Sequence, residues 1–171
     1  MSLETVRLKH IASVRVSNVD KKSVEGEQAV RLCNYTDVYY SDRITARPDF
    51  MAATATEAQI ETFRLRKGQT RITKDSETAD DIGVPAFVDT EAPDLVCGYH
   101  LAQIDPDEDK VDPRFLYWSI ASERSREQFS LGASGVTRFG LRTDTITSLR
   151  VSLPEFNQQR RLVAGERVAG G

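Results

Sequence analysis

Asp94, in the pair Pro93-Asp94, and the triplet Glu108-Asp109-Lys110 have the loose form of a metal-dependent nuclease site. In such a site Asp94 and Glu108 would hold a magnesium ion and Lys110 would help the attacking water. The pattern has few fixed letters, and Glu108 and Lys110 fall in IDPDEDKVDP, whose prolines and carboxylates read as a solvated turn rather than a strand beside Asp94. A stand-alone Mg-dependent nuclease is therefore the alternative reading. Other site chemistry lacks its spacing. His10, His100, Cys33 and Cys97 are too scattered for a zinc site, and the two cysteines read as reduced, buried thiols. Gly132, Gly135 and Gly140 form neither GxGxxG nor GxxxxGK[ST], and there is no GxSxG nucleophile elbow. No metal and no cofactor are expected.

Charge says more by its distribution than by its sum. The net value is −3, which alone argues against a polyanion partner. Yet Arg64 to Lys74 holds five basic residues and no acid, Asp75 to Asp112 holds twelve acids against Lys110, and from Pro113 onward nine arginines face five acids. Local field, not net charge, steers a charged ligand, so an acidic total can conceal a basic face. The length of 171 residues suits one domain with a fair core. No apolar run reaches bilayer length and the opening MSLETVRLKHI has no secretory pattern, so no membrane partner and a cytoplasmic location are expected.

The elements that must position any site alternate irregularly. TVRLKHIASVRV and EQAVRLCNY read as strands separated by NVDKKSVEGE, and ATEAQIETF as a helix capped by Thr54 or Thr56. FRLRKGQTRITKDS reads as a strand broken by a Lys-Gly turn, IGVPAFVDT as another and DLVCGYHLAQI as a buried third. Asp112-Pro113 opens a helix over RFLYWSIASERSREQF, with Leu116 and Ile120 on its apolar face and Gly132 as its stop. A polar loop, a short helical RTDTITSL, a strand RVSLP and a final helix from Pro154 complete the chain. Trp118, Leu116, Leu149 and Val151 are assigned to the core. Without regular βαβ alternation the pattern predicts an α+β fold: a mixed, mainly antiparallel twisted sheet with a few packed helices.

In this order the segments resemble a target recognition domain of the specificity subunit of type I restriction-modification systems. The resemblance covers nearly the whole chain. It is carried by IASVRVSNVDKKSVEG, by RLRKGQTRITKDSE followed by IGVPAFV, by DLVCGYHLAQIDPDEDKVDPRFLYWSI, and by GASGVTRFGLRTDTITSLRVSLPEFNQQRRLV. Asn157-Gln158-Gln159 stands where the family usually has Glu before Gln, and the chain stops soon after Gln159. The resemblance therefore implies a truncated chain or a half-size subunit, with residues 1–153 as the DNA target recognition domain and 154–171 as the truncated start of a helical spacer.

What the resemblance implies is a DNA reader without catalytic groups. It would read one half of a bipartite site and position a methyltransferase (modification) subunit and, through it, a restriction subunit, while pairing with a second recognition domain. Basic side chains on phosphates would set register, and side chains on base edges would discriminate sequence. The first expected contact strip is Thr70, Arg71, Thr73 and Lys74, beyond the turn at Gly68. The second is Ser134, Gly135, Thr137 and Arg138, where small residues admit a phosphate and the arginine forks onto it. Tyr99 and His100 would offer a polar aromatic edge. Phe156 and Leu162 lie on the final helix, where the spacer and the methyltransferase subunit would attach. A third reading, a protein-interaction domain without DNA contact, draws on the acidic middle segment.

Overall fold

The structure, a computed structural model that describes residues 3–47 and 49–164, contains these elements in chain order: β1 (Glu4–Arg7), β2 (Ala12–Val16), β3 (Gln28–Cys33), α1 (Tyr35–Tyr39), β4 (Arg43–Ile44), β5 (Met51–Ala55), α2 (Glu57–Phe63), β6 (Thr70–Thr73), β7 (Asp75–Ser76), β8 (Pro85–Val88), β9 (Leu95–Cys97), β10 (Leu101–Pro106), α3 (Pro113–Ile120), α4 (Glu123–Gly132), β11 (Ser134–Gly135), β12 (Phe139–Gly140), α5 (Thr143–Thr147), β13 (Arg150–Leu153) and α6 (Phe156–Ala164). The central sheet has the order β2-β10-β6-β8-β4 and is antiparallel except for the β4–β8 pair. A second sheet, β5-β3-β9, has one antiparallel and one parallel pair. β1 pairs with β13, and β7 joins the β11–β12 hairpin in a small sheet. The fold is α+β and mainly antiparallel, as the irregular alternation predicts.

Two apolar cores flank the central sheet. On one side Leu101, Ala86 and Val88 meet Leu32, Val96 and Phe63 from the second sheet and α2. On the other, Ile72, Ala102 and Ile104 meet Leu116 and Ile120 of α3, Phe129 of α4 and Val151 of β13. Leu149 and Val151 are core residues as expected, whereas Trp118 is only half-buried in a satellite cluster with Phe87 and Tyr117. Because both faces of β6 and β10 are covered, these strands lose the inside-outside alternation that marks a solvated sheet.

Local signals place several elements as expected. Thr56, not Thr54, caps α2: its hydroxyl accepts from the Gln59 N–H while the Gln59 side chain accepts from the Thr56 N–H. Asp112 Oδ1 accepts from the N–H groups of Arg114 and Phe115, with Pro113 opening α3. Three expectations are corrected. TVRLKHIASVRV is two strands in different sheets, separated by a 3-10 turn at Leu8–His10. DLVCGYHLAQI is likewise split between β9 and β10. The single helix after Pro113 is two, because the Ser122 and Ser125 hydroxyls both donate to the Ser119 carbonyl at 2.7 Å, and Ser122 then caps α4.

α6 is tied to the body by Gln159. This buried side chain donates to the Pro154 carbonyl at 2.9 Å and accepts from the Asp112 N–H at 2.8 Å, linking the last helix to the start of α3. On the same helix Phe156 is half-buried and Leu162 exposed. Residues 165–171 of the expected spacer lie outside the described residues.

Candidate nucleic-acid interface

Beyond the end of β6 the chain leaves the interior at Lys74 and turns into β7. Four stretches distant in sequence meet there. Gly98 lets the β9–β10 turn come close to α1: a Cβ on it would meet Asn34 Oδ1 at 2.7 Å and the Cys33 carbonyl at 2.9 Å. Tyr99 and His100 follow, ring edge to ring face at 4.6 Å. His100 Nδ1 lies 2.8 Å from Asp75 Oδ2, Lys74 Nζ lies 3.6 Å from the same oxygen, and that ammonium sits 5.7 Å from the Tyr99 ring centre.

The third stretch is the β11–β12 hairpin. Its base is anchored by Ala133 and Phe139, which pack on the second core, and it is stitched to β7 through Phe139↔Ser76 and Gly140↔Asp75. Its tip, Val136, Thr137 and Arg138, is exposed. Gly135 has φ +147°, and a Cβ there would overlap the Arg138 carbonyl oxygen, so the tight return that presents Arg138 requires glycine. The fourth stretch is α1 with Tyr40. Tyr35 and Tyr39 stack at 5.5 Å with planes 14° apart, and Tyr40 meets Tyr39 edge-on at 4.8 Å.

Together these parts enclose a cleft of about 530 Å³. Tyr35, Thr36, Tyr39, Tyr40 and His100 supply its aromatic and hydroxyl lining, Arg138 and Lys21 its donors, and Asp75, Glu77 and Asp81 its carboxylates. The Tyr39 hydroxyl donates to Asp81 Oδ2 at 2.5 Å. That bond, and then the carboxylate's charge, push the Tyr39 phenol up to about 12. A phenol with a raised folded-state pKa holds its proton more tightly when folded. Its contribution to stability is thus complete below its ordinary value of 10 and is lost as pH rises towards about 12. In a near-ultraviolet titration Tyr39 is expected to ionise late. Asp81→Asn should bring it forward and Tyr39→Phe should delete it, leaving Tyr117, which burial raises to about 12, and Tyr35, which burial also raises, as the other late phenols.

The arrangement of sheets and helices has solved counterparts. The S subunit of the type I restriction-modification system from M. genitalium superposes with a TM-score of 0.62 at 11% identity, over 96% of this chain and 38% of that one. The HsdS subunit from Thermoanaerobacter tengcongensis gives 0.63 at 17% identity, over 95% of this chain and 35% of that one. This chain has the fold of part of a type I S subunit. A further structure, from work on complex assembly and conformational transition of the type I R-M system, gives 0.64 at 15% identity, over 95% of this chain and 36% of that one. The chain thus spans little more than a third of the proteins it resembles. No protein-family profile and no curated protein sequence matches it.

Within this S-subunit fold the expected site residues separate into two groups. His100 and Arg138 line the cleft; Lys74 and Tyr99 adjoin His100 and Asp75 beside it, and Ser134, Gly135 and Thr137 share the hairpin with Arg138 without lining it. Thr70, Arg71 and Thr73 are a correction. All three are buried, Arg71 completely, because β6 lies between β10 and β8 with both faces covered. Lys74 is itself largely occupied by Asp75 and Tyr99, leaving Arg138 and Lys21 as the outward cations of the cleft. Tyr35, Tyr39 and Tyr40 were missed by sequence reasoning. Their signal was three tyrosines in YTDVYY, two of them four apart, which puts both rings on one side of a helical turn.

The nuclease alternative finds no assembled site. Asp94 is held by Arg31 through two hydrogen bonds of 2.8 and 2.9 Å, which lower its pKa. Lys110 donates to the His10 carbonyl and pairs with Asp107, and Glu108 is an exposed residue between β10 and α3. Among the described residues no three His, Cys, Asp or Glu side chains are grouped to hold a metal ion.

Proposed function

We propose that the chain is a sequence-specific DNA-binding domain that reads one half of a bipartite site. It positions a type I methyltransferase subunit, and through it a restriction subunit, and contributes no catalytic group. One observation carries the reading: on a fold shared with type I S subunits, a glycine-bounded hairpin presents an exposed Arg138 beside a cleft lined by tyrosines and His100. Aromatic faces and a guanidinium on a projecting hairpin supply both elements that duplex recognition needs, a phosphate or guanine partner and polar edges for bases. Pairing with a second recognition domain is part of the same proposal.

Titration of labelled duplexes tests this directly. Affinity should fall steeply with salt, and Arg138→Ala should weaken binding by about ten- to a hundredfold if the guanidinium forks onto a base, or flatten the log-log salt slope by about one if it meets a phosphate. Binding that ignores both salt and Arg138 would count against DNA reading.

A further inference from the structure

The cleft carries an apparent contradiction. A surface that meets DNA is expected to be cationic, because each phosphate repels a carboxylate, yet Asp75, Glu77 and Asp81 all line this one. Asp75 is accounted for by Lys74 and His100. Asp81 is engaged differently, since it accepts the only proton of the Tyr39 hydroxyl. What this pair then shows to the cleft is lone pairs alone, those of the phenolic oxygen and of the carboxylate. Glu77, exposed at the same cleft, has no hydrogen-bond or ion-pair partner among the described residues. Donors are present too, on Arg138 and Lys21, so the lining is a mixed donor and acceptor surface with stacked rings behind it.

In the major groove the only hydrogen-bond donors on base edges are the N6 amino group of adenine and the N4 amino group of cytosine, while guanine and thymine present acceptors. We infer that the Tyr39–Asp81 pair reads an exocyclic amino group, selecting adenine or cytosine on the contacted strand at one position of the half-site. The pair works by rejection as well as attraction. Guanine O6 or thymine O4 at that position would set lone pairs against lone pairs, leaving buried acceptors unsatisfied. Asp81 is thereby explained as a base reader that a phosphate contact would forbid, while Asp75 is offset by Lys74 and His100. This inference rests on the proposal that the cleft faces DNA.

The test is selection of bound duplexes from a randomised pool by the wild-type chain, Tyr39→Phe and Asp81→Asn. The wild type should enrich one position restricted to adenine or cytosine, with about ten- to hundredfold discrimination. Tyr39→Phe keeps the stacked ring and removes the hydroxyl, and Asp81→Asn replaces an acceptor by a group that can donate. Both should relax that position, the second admitting guanine or thymine. If adenine is the selected base, replacing it by purine, which lacks the amino group, should weaken the wild type about tenfold and weaken Tyr39→Phe, which keeps only the carboxylate acceptor, by less. A wild type without such a position overturns the inference, as does an unchanged preference in either folded variant while Arg138→Ala still weakens binding; DNA reading itself would then stand. Absence of duplex binding by the wild type overturns both.

Discussion

Arg71→Met is expected to leave the protein at least as stable as the wild type, and Arg71→Ala to fall about 2–5 kcal/mol below the methionine variant. Duplex affinity per folded molecule should be the same in all three. Arg71 is the largest fully buried side chain. Its Nη2 reaches the Arg64 carbonyl at 3.5 Å, while Nε and Nη1 have no hydrogen-bond partner among the described residues. Desolvation lowers its pKa, the direction expected of a cation in an apolar interior. Methionine keeps most of the volume and removes the buried charge, whereas alanine opens a cavity between the two sheets. Urea unfolding of the three proteins, with a duplex titration at the same salt, separates the two roles. A loss of affinity in a fully folded Arg71→Met would return this residue to the contact surface.

Gly135→Ala is the complementary case, with a large effect on binding and a small one on the fold. The added Cβ would overlap the Arg138 carbonyl at a φ that side-chain-bearing residues rarely adopt. The β11–β12 hairpin rests on two paired residues per strand and on the anchors Ala133 and Phe139. Strain of about 1–3 kcal/mol at one residue is enough to open so short a hairpin, and each 1.4 kcal/mol of lost preorganisation is about tenfold in affinity. Duplex binding should therefore fall about tenfold or more, while the urea midpoint moves little because both main cores lie outside the hairpin. A Gly135→Ala protein that binds like the wild type would show that Arg138 does not act from this turn.

Legibility in the sequence followed the range of the interaction. The caps at Thr56 and Asp112 involve partners three residues away or fewer, so their residue types announce them. The hairpin tip and the Tyr99-His100 turn were likewise visible as glycine-bounded polar segments. The serine break between α3 and α4 was overlooked, although Ser119, Ser122 and Ser125 lie close together, because hydroxyls that compete with helix bonds look like ordinary exposed polar residues. The basic run from Arg64 to Lys74 misled for another reason. TRIT has the polar alternation of a half-solvated strand, and only the partners on either side reveal that neither face meets water.

By itself the amino-acid order determined the α+β class, most element positions, the caps, and the glycine-bounded polar loop that carries Arg138. These depend on backbone preferences and side chains a few residues apart, which any short window contains. Tertiary pairing alone decided that Arg71 lies inside, opposite Gln103, and that Asp75 is held beside Gly140 so that the hairpin, α1 and His100 share one cleft. Burial and convergence are properties of chain segments 25 or more residues apart, set by which sheet each strand joins, and no local pattern encodes that choice.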